Sequence, residues 1–387
     1  MSSTLDEICK FYSGTGFPNK FQGKRNGKYP FVKVGDISRT VKKGNITLTK
    51  SQNYINDDVV NKINGKIVPK DTIIFAKIGE ALKLNRRVIT NKECLIDNNI
   101  LGIKPKTNKI DLKYLFYFMN HLKLEKFSES TTVPSVRQTR LKSITINIPS
   151  IDEQLEIVNI LENINKAVLL KREQLSKLEI LIKARFVEMF GDPRGNNFKW
   201  KQTSIKESCT LKSGKSLSSN IEKERGDIPY IKVKDMNSSK NTPYITTSSK
   251  FVKIENVKKQ ILPAGTVIFP KRGGAIGTNK KRLTKLSICA DLNIMGVIPN
   301  IEKLNSQYLF AYFNTIDLKT LNNGSSVPQI NNKDIEPLSI SLPPLSLQNE
   351  FANFVQQVDK SKFENIVYLN KTLSSKILSQ IGDVIRD

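Results

Sequence analysis

Catalysis by side chains needs titratable or nucleophilic groups at motif spacing, and this chain offers few. Its one histidine, His121, falls on a segment whose spacing predicts a helix from Leu112 to Leu124. With no acid or nucleophile placed to work with it, it reads as structural or solvated rather than as a general base. Cys9, Cys94, Cys209 and Cys289 stand far apart with no Cys-x-x-Cys, so neither a thiolate metal site nor a disulfide framework is supported. Ser213-Gly214-Lys215-Ser216 has the ending of a phosphate-binding loop, but that loop needs glycine where Cys209 stands and a strand before it. Gly273-Gly274-Ala275-Ile276-Gly277 lies between basic residues with no long helix after it, and reads as a tight turn rather than a dinucleotide fingerprint. The Asn/Asp-Pro-Pro-aromatic sequence of amino-methyltransferases is missing, since Leu342 precedes Pro343-Pro344, and no glycine-rich cofactor loop accompanies it.

What remains is binding chemistry. Basic and amide-bearing loops occur at two equivalent places. The first set is Lys77, Lys83, Arg86, Arg87, Ser135, Arg137 and Gln138. The second is Lys271, Arg272, Lys280, Lys281, Arg282, Gln329, Asn331 and Asn332. Lysine and arginine neutralise phosphates, arginine also reads guanine, and glutamine or asparagine reads adenine through paired hydrogen bonds. Neutralising Lys280, Lys281 and Arg282 together is therefore expected to weaken DNA binding and flatten its salt dependence.

The two sets are equivalent because the chain repeats itself. Val133-Pro134 returns 194 residues later as Val327-Pro328, and Tyr114-Leu115-Phe116 as Tyr308-Leu309-Phe310. Asp97, Asn99, Gly102 and Pro105 return as Asp291, Asn293, Gly296 and Pro299. Pro69, Thr72, Ile74, Phe75 and Lys77 return as Pro263, Thr266, Ile268, Phe269 and Lys271. Nearer the start, Glu7, Cys9, Ser13 and Gly14 match Glu207, Cys209, Ser213 and Gly214. The matched positions are mostly apolar, proline or glycine, which specify backbone and core; the polar residues between them differ. One fold carrying two different surfaces is expected.

Each copy ends in a strand, a proline stop and a long helix. Within Ile151–Phe190 apolar residues recur at Ile157, Leu161, Ile164, Val168, Leu175, Leu178, Ile182 and Met189, the seam of a coiled coil, interrupted by Lys171 and Arg185. The formal charge of the chain is +26. From Ile151 to Phe190 there are six Lys/Arg against seven Asp/Glu, and from Leu345 to Asp387 five against five. The helices are balanced, so the globular segments carry the whole excess. Balanced helices suit protein partners, and basic domains suit a polyanion. No apolar run reaches the ~20 residues of a membrane span. Nor does the N-terminus have the basic and apolar regions of a secretory signal, so a reduced, cytoplasmic protein without a membrane partner is expected.

Ile148-Pro149-Ser150-Ile151-Asp152-Glu153-Gln154 with its long helix resembles the "iPlPpl-x-EQ" junction of type I restriction–modification specificity subunits. Leu342-Pro343-Pro344-Leu345-Ser346-Leu347-Gln348 resembles its second copy, with Leu347 where the pattern has Glu. The resemblance covers the whole chain, which begins close to the first variable domain. It implies an α+β fold: two tandem mixed sheet-and-helix target-recognition domains separated by two long antiparallel coiled-coil helices, a pseudo-twofold repeat. The expected boundaries are 1–148 for the first domain, 149–195 for the central helix and linker, 196–342 for the second domain and 343–387 for the C-terminal helix.

The resemblance further implies a non-catalytic subunit that reads a split, asymmetric site on double-stranded DNA. In such complexes the helices set the distance between half-sites and dock two methyltransferase subunits, which bind S-adenosylmethionine and modify adenine. Restriction subunits bring ATP- and Mg-dependent translocation and cleavage. No cofactor is then expected in this chain. Apolar residues turned away from the helix seam, Ile160, Leu169, Leu170, Val367 and Leu369, would be available to partners. From the residues alone two alternatives stay open: a stand-alone nucleic-acid-binding regulator, and a self-sufficient DNA-modifying enzyme, against which the missing motifs count.

Overall fold

The computed structural model describes residues 2–128, 133–192, 198–321 and 327–385, with side chains as far as Tyr368. The chain divides into two compact units, Met1–Glu173 with Val367–Asp387, and Gln174–Ile366. The division runs inside the central helix rather than at its ends.

In the first unit, Ser2–Thr4 pairs antiparallel with Thr145–Asn147, the strand that feeds the central helix. After Ser2–Thr4 comes a single helical turn, Leu5–Ile8, opened by a capping box between Thr4 and Glu7. Cys9–Ser13 is instead a strand, because all five of its residues pair with Ile100–Pro105. That ladder satisfies backbone groups that a second helical turn would have satisfied locally. The five-stranded sheet runs Cys9–Ser13, Ile100–Pro105, Ile73–Ala76, Arg87–Thr90, Thr47–Leu48. Its three inner strands are buried on both faces, so the period-two alternation sorts one apolar side chain from the next. Ile73, Phe75, Ile89, Leu101 and Ile103 join Tyr114, Leu115, Phe118 and Met119 of the helix Leu112–His121. Ile74, Val88 and Ile100 face the opposite way, with Val32, Ile37, Val68 and Ile96.

The second unit repeats this order with Cys209–Ser213, Ile294–Pro299, Val267–Pro270, Arg282–Thr284 and Tyr244–Ile245. The helix Ser306–Thr315 covers it, and Gln202–Ser204 pairs with Ser339–Ser341. The Cys209–Ser213 strand also disposes of the phosphate-loop reading, because five of the eight residues such a loop would need are extended ladder.

Much of the sequence repeat now has a physical cause. Thr72 and Thr266 donate to the carbonyls of Pro69 and Pro263 at 2.8 and 2.6 Å, and Thr90 and Thr284 donate to the same carbonyls at 3.0 Å. Asp97 and Asp291 accept the backbone N–H groups of Asn99 and Asn293 at 2.9 and 3.0 Å. A Cβ on Gly14 would lie 1.9 Å from the Asp97 carbonyl oxygen, and one on Gly214 2.2 Å from that of Asp291. Only glycine allows that approach of two backbones.

The central helix, Ile151–Phe190, is continuous over 40 residues. Val158, Leu161 and Ile164 are buried in the first unit, while Phe186, Met189 and Phe190 belong to the core of the second. There the Phe186 and Phe190 rings meet Phe351 of the C-terminal helix, Leu345–Ile385, at 5.6 and 5.5 Å. Arg185 pairs with Glu350 at 3.0 Å, so this seam interruption makes an ion pair.

Both long helices start on a buried glutamine. The Gln154 amide donates to the carbonyls of Lys109 and Pro149 at 2.8 and 2.9 Å and accepts the Asp111 N–H at 2.8 Å. Gln348 repeats all three bonds with Lys303, Pro343 and Asn305 at 3.0, 2.9 and 2.8 Å. Glu153 caps the first helix by accepting from the Ser150 N–H and hydroxyl, both at 2.8 Å, which lowers its pKa. Leu347 cannot do this, and the second helix opens on Pro344, whose carbonyl accepts the N–H groups of Leu347 and Gln348. The two junctions therefore share the glutamine latch and differ in the cap.

Candidate nucleic-acid interface

At one end of each five-stranded sheet three chain segments converge. In the first unit these are the end of Cys9–Ser13, the turn Asp97-Asn98-Asn99, and Lys77-Ile78-Gly79 after Ile73–Ala76. A fourth segment, residues 133–138, is fastened on by a bridge between Ile78 and Ser135, by Val136 N–H to the Lys77 carbonyl at 2.9 Å, and by Gly79 N–H to the Pro134 carbonyl at 2.8 Å. The second unit makes the same bonds: Arg272 bridges Gln329, Ile330 N–H donates to the Lys271 carbonyl at 2.9 Å, and Gly273 N–H to that of Pro328 at 2.8 Å. The repeated Val-Pro is thus the start of a segment that must lie beside the sheet end.

This geometry gathers part of each expected set. Lys77, Ser135, Arg137 and Gln138 come together, Gln138 accepting the Ser13 hydroxyl at 3.3 Å. So do Lys271, Arg272, Gln329, Asn331 and Asn332: Gln329 donates to Asn331 at 2.6 Å, and Asn331 caps the short helix Asn332–Ile335. Lys271 donates to the Ser213 hydroxyl at 2.7 Å, and burial together with the neighbouring Arg272 lowers its pKa. Arg137, Arg272 and Asn332 are exposed. Residues 129–132 and 322–326 lie outside the described residues.

Other expected residues are placed elsewhere. Lys83 is exposed but paired with Glu80 at 2.7 Å, which raises its pKa. Arg86 donates to the Ser38 hydroxyl at 3.0 Å, and Lys280 donates to Asn237. Arg87, Lys281 and Arg282 are not on the surface at all, being 2, 3 and 9 % exposed. Arg87 donates to Asn85 and to the Leu122 carbonyl. Lys281 makes the corresponding bonds to Asn279 and to the Ile316 carbonyl. Leu122 and Ile316 are the C-cap residues of the two sheet-covering helices, where a cation meets the negative end of the helix dipole. Arg282 donates to the Lys281 and Met236 carbonyls at 2.8 and 2.9 Å. These three cations satisfy carbonyls of their own domains. The triple neutralisation of Lys280, Lys281 and Arg282 would accordingly disturb folding rather than report on DNA.

A sharper test separates the two roles. Burial pushes the Lys281 pKa from its ordinary 10.5 down to about 8. Between these values the unfolded chain binds the proton and the folded chain does not, so stability from this site rises with pH. The melting temperature of the wild type relative to Lys281→Met should rise as pH goes from 8 to 10.5, with no change in the salt slope of DNA binding. A constant difference in melting temperature would place the amine in water.

Sequence reasoning missed Ser13 and Ser213, and Asn99 and Asn293, as members of the sheet-end clusters. The signal was present, since all four lie in the matched blocks. Of the expected partner-facing residues, Leu169 and Leu170 are exposed, 43 and 53 %, while Ile160 and Val367 are half-buried. The Leu369 side chain lies outside the described residues. Among the described residues no His, Cys, Asp or Glu cluster could hold a metal ion, and no helix is long and apolar enough to cross a membrane.

Two copies of a mixed sheet-and-helix module, each followed by a long helix and presenting unlike polar groups at the same sheet end, define a two-headed recognition protein. The type I restriction modification DNA specificity domain model matches residues 1–180 and again 197–374, and the chain belongs to that family. It is 22% identical over 415 residues to the type I restriction enzyme MjaIX specificity subunit of Methanocaldococcus jannaschii, covering 98% of this chain and 90% of that one. Its fold is similar to the type I restriction–modification S subunit from M. genitalium, with TM-score 0.56 and 15% identity over 100% of this chain and 96% of that one. A chain solved in work on complex assembly and conformational transition of the type I R-M system gives TM-score 0.59 and 17% identity over 98% and 95%. This is a non-catalytic specificity protein.

Proposed function

We propose that the chain selects DNA sites for a type I restriction–modification enzyme, each unit reading one half of a split site whose halves differ. The carrying observation is the sheet-end cluster, built on the same backbone bonds in both units but dressed with different polar side chains. Methyltransferase subunits, supplying S-adenosylmethionine chemistry, and restriction subunits, supplying ATP- and Mg-dependent cleavage, are its partners, and the work is done in the cytoplasm. Exposed apolar residues on the central helix, Leu169 and Leu170 among them, support a partner surface there. The balanced charge of that helix is compatible with protein rather than DNA.

The test is co-expression with the methyltransferase encoded beside it, followed by sequencing that detects methylated adenine. A split motif with two unlike halves, methylated only when this chain is present, is the expected result. Identical methylation without the chain would refute the reading.

A further inference from the structure

We propose that base selection in each unit resides in a small set of positions at the sheet end, where the two units carry different side chains on the same backbone. This rests on the DNA-reading function above and assigns residues to it.

Two domains of one fold that face the same kind of duplex meet the same phosphate geometry. They differ only in the bases they must distinguish. Groups that hold the backbone should therefore be shared between the units, and groups that read base edges should not. The sheet end shows shared and unshared groups side by side. Shared are Ser13 with Ser213, Lys77 with Lys271, and Asn99 with Asn293. In the second unit Lys271, only 8 % exposed, donates to the Ser213 hydroxyl, so this shared pair holds the sheet end together. In the first unit the same serine donates to Gln138, which places the variable segment against the shared one.

The unshared positions lie on the two bridged segments. Ile78 stands where the second unit has Arg272, and Ser135 where it has Gln329; each pair is bridged within its own unit. Next along, Arg137 and Gln138 stand where the second unit has Asn331 and Asn332. The turn beside them carries exposed Asn98 in the first unit and half-buried Leu292 in the second. Five identities therefore change, four of them on the bridged segments, over a backbone whose hydrogen bonds do not. Arginine suits guanine O6 and N7, the amides suit adenine N6 and N7, and an apolar side chain suits the thymine methyl group. Arg272, exposed and anchored through its own backbone bridge, is assigned a guanine in the second half-site.

The experiment uses the full chain in complex with its methyltransferase. A graft carrying R272I, Q329S, N331R and N332Q puts the first unit's residues onto the second. The methylated motif is then read by sequencing. The second half-site should change and the first should not. The single variant R272I should relax one base pair of the second half-site, with discrimination there falling roughly tenfold to a hundredfold. Its side chain is exposed, so it tests the assignment even where the graft fails to fold. A motif unaltered by R272I, at unchanged methylation level, would overturn the proposal, as would a change confined to the first half-site. If the wild-type complex itself yields no split motif, the functional reading fails instead, before any variant is compared.

Discussion

Replacing Phe351 by alanine should destabilise the second unit by about 3–5 kcal/mol, the usual cost of deleting a buried phenylalanine. The side chain is fully buried, among Phe186 and Phe190 of the central helix. Phe186 in turn stacks on Tyr308 of the covering helix and Phe190 meets it edge to face, with ring centroids 5.6 and 4.7 Å away. The cavity would therefore open where three helices meet. Urea unfolding of the full chain, followed separately by fluorescence and circular dichroism, measures the loss. A cost below about 1 kcal/mol, well short of that range, would mean that the aromatic cluster is not the joint between the central helix and this unit. Because Phe186 and Phe190 lie beyond the first unit's last residue of that helix, the same experiment asks whether the helix end is structurally part of the second unit.

Gln154→Ala should cost about 2–4 kcal/mol, since buried donors and acceptors left unpaired each cost about 1–3 kcal/mol. The substitution orphans the Asp111 N–H and the carbonyls of Lys109 and Pro149 around a fully buried side chain. Gln154→Glu should not rescue it, because a carboxylate cannot donate to two carbonyls. Gln348→Ala should do the same to the second unit. If the two units melt in separable transitions, each substitution should move only its own. Equal shifts in both transitions, or none, would contradict the latch. By comparison Glu153→Gln keeps an acceptor oxygen at an exposed cap and should matter little.

The glutamines show how far spacing alone reaches. Their place in the junction is visible in the sequence, twice, but not why glutamine and no other residue is needed. The answer depends on residues about 45 positions away, Lys109 and Lys303, whose carbonyls are brought within reach only by folding. The basic loops show the opposite hazard. Lys77 and Arg87 look alike in a sequence, as do Arg272 and Lys281. Arg272 ends on the surface, while Arg87 and Lys281 end under a helix C-terminus. Charge is local information, but exposure is not.

By itself the sequence determined the duplication and the two long helices, because these follow from matched blocks, apolar periodicity and proline stops, all readable along the chain, and its two junction motifs carried the resemblance to the family. It also determined that the basic excess lies outside the helices. Only the tertiary structure decided which cations are internal struts and which face solvent. Only the structure showed that Ser13, Asn99, Lys77 and the 133–138 segment share one sheet end. The physical reason is strand pairing. Residues separated by more than a hundred positions become neighbours when Cys9–Ser13 and Ile73–Ala76 both pair with Ile100–Pro105, and no local pattern records which strand ends will meet.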